Sequence, residues 1–481
     1  MRASLIAQQA ALRKRPDYQW LVLGVVCLGT FMGAMDSSIV NVTLPLLSTV
    51  FQVTIPTIGW VIIAYQLAST STLGTFGRIT DIFGRRFIYL GGFVVFVVGS
   101  AMCGMANSAL VLILFRVIQG IGSGMLVANS MALVTTVFPS GQRGTAIGFL
   151  ETSVSAAFTI APTIGGFLQG WLGWRAVFYV NVPIGLIGVI LAWLIVVDPP
   201  REPGGRSLDL PGAISLSIGL TSLLLALTRG LADDPGASIY LWFLVPAVVC
   251  LVAFVIIESR TPDPTIDLRL FQHRVFAGAN AAKVFSYTAM SSVTFLMPFY
   301  LETALGYSPV LTGLAMTALP IALATGSMVG GPLSDRFGSH VLAPIGLSIA
   351  AVGSLVLTQV TPAMGYPLVM VAMLAIGLGM GLFIVPNDSA IMGAAPRDKL
   401  GVASGILATT RNLGLSSGIA FAGTLLATRM QAYHALSSVN SFVFSFHDVY
   451  WVTIGLCLAA LVLSLFRGKA VHGYHEATVL E

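Results

Sequence analysis

Six ionisable side chains stand inside long apolar runs of this chain: Asp36, Arg116, Glu151, Lys283, Asp388 and Arg411. Carboxylates and cations so placed offer two kinds of chemistry, gain and loss of a proton and the meeting of opposite charges out of water. At bilayer depth each costs about 3 kcal/mol or more, so each marks a candidate site. At about 1.5 Å of rise per residue, Asp36 lies roughly 24 Å above the inner end of its run and Arg116 roughly 10 Å below the outer end of its own. Across an apolar core of about 30 Å these two share an outer layer. Glu151, Lys283, Asp388 and Arg411 all fall roughly 10–16 Å above the inner end. Each layer can therefore be neutral.

Two readings stand for each residue. Asp36 is either a carboxylate that loads and releases a proton or a helix-end residue bonded to backbone amides. Arg116 either couples to it or braces the first helix against the fourth; Met373 fills the corresponding place later in the chain. Glu151 is a counter-charge for a cationic ligand, or it pairs with Lys283 or Arg411. Asp388 and Arg411, on consecutive helices, read as a structural ion pair. Lys283 either meets a ligand or extends its stem toward the inner interface. Asn41, Lys283, Asp388 and Arg411 join Glu151 as candidates for lining a substrate cavity.

The elements that position them follow from composition. Of 481 residues only 9% are charged and 56% are hydrophobic, against about 25% charged in soluble domains. That excludes a soluble enzyme, a nucleic-acid binder and a disordered scaffold. Continuous apolar runs of about twenty residues mean spanning helices rather than barrel strands. Spans are expected near 20–44, 58–77, 87–106, 109–137, 144–169, 176–197, 209–228, 239–257, 276–301, 309–331, 341–360, 367–390, 400–425 and 449–466. With both termini cytoplasmic, 18 of the 24 Lys and Arg lie inside, 3 outside and 3 within spans, the asymmetry that sets orientation. The four cysteines, all in apolar runs, read as small buried hydrophobes. All six histidines are placed in loops or the tail, and no GxxxxGK[ST] loop is present. No metal site, cofactor or ATP-driven step is expected, leaving an ion gradient as the energy source.

The chain repeats itself. Gly77 to Gly84 (GRITDIFG) recurs 254 residues later as Gly331 to Gly338 (GPLSDRFG), while Gly120, Gly122 and Gly124 recur 257 residues on at Gly377, Gly379 and Gly381. Pro139, Ala146 and Gly148 recur at Pro396, Ala403 and Gly405. The expected organisation is a cytoplasmic tail at 1–19, a six-helix bundle at 20–197, and cytoplasmic segments with two linker helices (209–228 and 239–257) at 198–274. A second six-helix bundle at 275–466 and a cytoplasmic tail at 467–481 complete it. Parallel repeats around a midplane site are the build of secondary transporters.

On these residues the chain resembles the major facilitator superfamily over essentially its whole length. Gly77 to Arg86 resembles the signature loop between helices 2 and 3, and Leu112 to Gly124 (LILFRVIQGIGSG) the helix-4 motif with its arginine. Ala157 to Leu168 (AFTIAPTIGGFL) resembles the helix-5 antiporter motif, with alanines at 157 and 161 where the family has glycine. Asp36 to Pro45, and Gly173 to Arg175 with Asn181 to Gly185, are similar to motifs of the fourteen-helix drug:proton antiporters. The resemblance implies two six-helix pseudo-repeats plus two extra central helices, with a cavity between the halves. It implies proton coupling by Asp36, Arg116 and Glu151, and a cytoplasmic gate of Gly77, Asp81, Gly84, Arg85, Arg86 and Asp335. Pro162, Gly165 and Gly166 would bend helix 5 and seal the cavity against proton leak.

The expected function is proton-coupled export of lipophilic, often cationic compounds. The alternatives are a proton symporter importing an organic acid, and a membrane enzyme or lipid scramblase. Expected partners are the small-molecule substrate, protons and the lipid bilayer, with room for a periplasmic adaptor and outer-membrane channel and none for nucleic acid. The compact plan suits a bacterial inner membrane.

Overall fold

The computed structural model describes residues 15, 17–139, 142–197, 210–230, 239–261, 268–396 and 400–466; most of the two expected tails lies outside them. Every regular element among the described residues is helical. In chain order these are α1 Tyr18–Phe51, α2 Ile55–Phe83, α3 Arg85–Gly104, α4 Ala109–Val137, α5 Arg143–Leu172, α6 Trp174–Tyr179, α7 Asn181–Ile195, α8 Leu210–Gly230 and α9 Ile239–Arg260. There follow α10 Arg274–Phe299, α11 Pro309–Met316, α12 Ala318–Phe337, α13 Ser339–Leu357, α14 Tyr366–Gly393, α15 Leu400–Ala432 and α16 Ser438–Phe466. With α6 and α7 counted as one broken helix, and α11 and α12 as another, fourteen long helices result. Among the described residues, eleven are long and apolar enough to cross a membrane. Helices α2 and α15 carry more Ser, Thr, Gly or charge, which dilutes their hydropathy, while α8 is apolar over Ile214–Ala226.

Several helix boundaries differ from expectation, and two bear on residues named above. Helix α1 runs past Pro45 to Phe51 and stops at Gln52, whose φ of 53° is left-handed. Helix α16 begins at Ser438 rather than near 449, so His447 lies within a helix and not in a loop. Its Nε2 is 2.7 Å from the Val360 carbonyl oxygen.

The chain divides into two compact units, one of residues 1–265 with 294–317 and one of 266–293 with 318–481. Helix α10 thus begins in the second unit and ends in the first. Each unit repeats one packing pattern. In the first, α4 packs against α2 and α3; in the second, α14 packs against α12 and α13. The glycine triplets make both possible. A Cβ at Gly120, Gly122 or Gly124 would run into backbone of α2 or α3, and one at Gly377, Gly379 or Gly381 into backbone of α12 or α13. Without side chains there, the helices meet closely enough for backbone contact. The linker pair α8 and α9 packs on itself, and α8 lies against α2.

Helix ends are set locally. Ser108 and Ser308 accept from the amides of Val111 (3.3 Å) and Leu311 (3.4 Å), capping α4 and α11. Gly84 and Gly338, equivalent in the repeat, join α2 to α3 and α12 to α13 at φ of 96° and 84°, a region in which only glycine is unstrained. Outward-facing apolar residues such as Trp171 and Trp242, 76% and 77% exposed, give the surface a bilayer would cover.

Candidate functional site

In the first unit, Asp36 and Arg116 meet in a side-chain ion pair, and both are fully buried. Asp36 is mid-helix on α1, not at a helix end. Its Oδ2 accepts from Arg116 Nη1, while Oδ1 accepts from Gln119 Nε2 and Asn181 Nδ2, each at 2.8 Å. Arg116 also donates from Nη1 to Gln119 Oε1 (2.8 Å) and from Nε to the Val61 carbonyl (2.9 Å), and its guanidinium lies 4.1 Å over the Tyr65 ring. Ser100 Oγ accepts from Gln119 Nε2 and Asn181 Nδ2 and donates to the Phe178 carbonyl at 2.8 Å. That carbonyl lies near the end of α6, beside the break before α7. Five helices, α1, α2, α3, α4 and α7, therefore hold one carboxylate. A buried carboxylate so saturated with donors can stay charged without water.

In the second unit the charges pair differently from expectation. Lys283 Nζ donates to Asp388 Oδ1 and Oδ2 at 2.8 and 2.9 Å. Lys283 is only 3% exposed and does not reach toward an interface, while Asp388 is 32% exposed. The expected Asp388–Arg411 pair is replaced by Asp388–Lys283. Among the described residues Arg411 has no carboxylate within ion-pair distance. Equal depth on neighbouring helices left the lateral choice open, and packing decides it. Asn387, next to Asp388, donates to the Ala279 carbonyl (3.1 Å), and Thr410 donates to Asn280 Oδ1 (3.3 Å). The first of these turns α14 so that Asp388 faces α10, the helix that carries Lys283.

Asn41 on α1 donates to its own helix at the Ser37 carbonyl, 3.3 Å. Glu151 is helical, on α5, but its side chain lies outside the described ones, as do those of Asp81 and Asp335. Gly77 lies in the last turns of α2. Arg85 and Arg86 donate to carbonyls of their own unit, to Ala132 on α4 and Trp193 on α7, each at 2.7 Å.

Pro162 sits inside α5, and the glycines after it are contact points. Gly165 lies against Ile39 of α1, and Gly166 against Pro309 and Gly313 of α11. Gly313 in turn faces the Pro162 carbonyl. Helices α5 and α11 thus touch backbone to backbone.

Gln119, Asn181, Ser100 and Tyr65 were not foreseen as part of the site. A signal existed for two of them. Gln119 follows Arg116 by three residues and so shares its helix face, and an amide in an apolar run asks for a partner.

Residues 26–419 and 279–477 match the family model described as Major Facilitator Superfamily. The riboflavin transporter RibZ of Clostridioides difficile is 32% identical over 93% of this chain and 97% of its own length. The multidrug transporter protein MdtP of Bacillus subtilis is 31% identical over 85% of this chain and 75% of its own. The tetracenomycin C resistance and export protein of Streptomyces glaucescens is 30% identical over 88% and 78%. Among solved structures, a bacterial homologue of the human lysosomal transporter Spinster superposes with a TM-score of 0.70 at 18% identity, covering 94% of this chain and 97% of that one. A D-xylose-proton symporter superposes with a TM-score of 0.68, also at 18% identity, over 94% and 99%. Both likenesses concern the fold.

Proposed function

The chain belongs to the major facilitator superfamily, in its drug-efflux branch, and is a multi-pass membrane transporter; from that premise we propose that it exports lipophilic, often cationic compounds in exchange for protons. The observation that carries the reading is the Asp36–Arg116 pair. An acid held at 0% exposure by Arg116, Gln119 and Asn181 cannot exchange a proton with water until those helices shift. Protonation is thereby tied to a conformational step, which alternating access needs. In this reading the proton arrives from outside, discharges Asp36, frees Arg116 and leaves to the cytoplasm after reorientation. The termini are cytoplasmic and the membrane is the bacterial inner one.

Lys283 is already satisfied by Asp388, which weighs against its waiting for an organic acid. A second reading does have an observation behind it. The riboflavin transporter matches nearly the full length of both chains, which favours a neutral, planar heteroaromatic substrate.

Inside-out vesicles with an acidic interior test both. Addition of a transported lipophilic cation should alkalinise the interior saturably, and Asp36→Asn should abolish the response. Glu151→Gln in the same assay asks whether a second carboxylate is needed. Riboflavin movement with no cation-driven proton flux would replace the drug-export reading with the second one. Substrate movement without protons would remove antiport altogether.

A further inference from the structure

Among the described residues, one more carboxyl in the first unit has no counter-charge within ion-pair distance. Glu302 lies on the π-helical turn Tyr300–Ala304 that ends α10, just after Pro298. Oε1 of Glu302 is buried and, among the described residues, has no hydrogen-bond partner. The amides that follow are engaged elsewhere, Leu305 with the Tyr300 carbonyl (3.3 Å) and Tyr307 with that of Leu301 (2.9 Å). No described cation lies within ion-pair distance of it. The turn packs on α11, whose eight residues (PVLTGLAM) include no ionisable group, and on the turn itself the other titratable side chain is Tyr300. A charge on Glu302 would leave Oε1 without a donor and meet no described cation, a costly state out of water.

Helix α11 is also the element whose backbone meets α5 at Pro162 and Gly166. Along that contact two more polar side chains are buried without partners among the described residues. They are Gln169, at both Nε2 and Oε1, one turn beyond Gly166, and Thr312 at Oγ1, beside Gly313. Interiors leave few such atoms unpaired. Here four of them fall on one helix and on the hairpin it meets.

Resting on the proton-exchange reading above, we propose that Glu302 is a second proton-accepting site of the transport cycle, loaded from the outer side when α11 parts from α5. Separation admits water along Gln169 and Thr312. A hydronium ion gives its proton to the Glu302 carboxylate and leaves as water, and α11 then closes over a neutral acid. The unpartnered oxygen is thus accommodated in the closed state by the proton rather than by a cation.

Infrared difference spectroscopy on the full-length protein in lipid bilayers, stepped between acid and alkaline pH, reads this without any substrate. Wild type should show a protonated-carboxyl C=O band that Glu302→Gln loses and Glu302→Asp shifts. In liposomes with a fixed inner pH, ethidium-driven proton movement, or riboflavin-driven movement where ethidium is inert, should depend on outer pH in wild type and Glu302→Asp. In Glu302→Gln that dependence should be lost. An identical band in Glu302→Gln, or an unchanged outer-pH profile, overturns the proposal and leaves proton exchange standing. Should Glu302→Gln fail to insert, an unshifted band in Glu302→Asp overturns it equally. Substrate movement without protons in wild type takes down the exchange reading, and this proposal with it.

Discussion

Removing both members of the Asp36–Arg116 pair should cost less than the two single removals added together. In Asp36→Asn the guanidinium stays fully buried and keeps only Gln119 Oε1, the Val61 carbonyl and the Tyr65 ring. In Arg116→Gln the carboxylate stays fully buried with the Gln119 and Asn181 amides, each at 2.8 Å. Stranding a buried charge costs about 3–5 kcal/mol. The residual donors place Arg116→Gln at the lower end of that span and Asp36→Asn at the upper, since Asn181 and Gln119 then lose a charged acceptor worth about 1.5–3 kcal/mol per bond. The double variant holds no charge, so its cost should fall short of the summed single costs by about 2–3 kcal/mol. Reversible unfolding of the four proteins in mixed detergent micelles measures the cycle. Additive costs, or single variants within about 1 kcal/mol of wild type, would contradict a desolvated pair and with it the argument that protonating Asp36 is a conformational event. The double variant should also fold without exchanging protons, separating the structural role of the pair from its coupling role.

Five more outcomes follow from the geometry. Lys283→Gln should destabilise less than Arg116→Gln in the same assay, because the Asp388 it strands is 32% exposed and water screens what the cation no longer meets. Gly84→Ala and Gly338→Ala should each lose about 1–3 kcal/mol in thermal or denaturant unfolding, since both sit at positive φ. Gly148→Ala, where a Cβ meets nothing within 4 Å, should be neutral or gain stability. Gly166→Ala sets a Cβ 2.5 Å from the Pro309 carbonyl oxygen, an overpacking of about 1–3 kcal/mol; it should push α11 off α5 and raise substrate-free proton leak into liposomes, and a wild-type leak rate would refute the seal. The Tyr433 phenol ionises above its usual range, because it donates to Asp448 at 3.1 Å and faces that carboxylate's charge. Its stabilising bond is therefore intact at neutral pH and lost as pH rises through the phenol's ionisation. Asp448→Asn should bring the ultraviolet titration of Tyr433 down.

The amino-acid sequence by itself determined that this is a helical membrane protein built as a repeat, and which charges stand at membrane depth. Those properties are local: hydropathy over about twenty residues, glycine spacing in one register, a fixed rise per residue. The glycine triplets sit at the close helix contacts because a missing side chain acts wherever its helix packs. Depth also brought Asp36 and Arg116 into one layer. It could not choose partners within a layer, and so Asp388 was assigned to Arg411 when Lys283 holds it. Nor could it see that Gln119, Asn181 and Ser100 converge on Asp36, that Glu302 ends its helix in a π turn, or that α11 joins the first unit against α5. Each depends on which side of one helix faces which side of another, 80 residues away for Arg116 and Asp36 and 145 for Asn181 and Asp36. Depth follows from the rise along a single helix, but lateral pairing follows from the packing of several, and only the tertiary structure decides that.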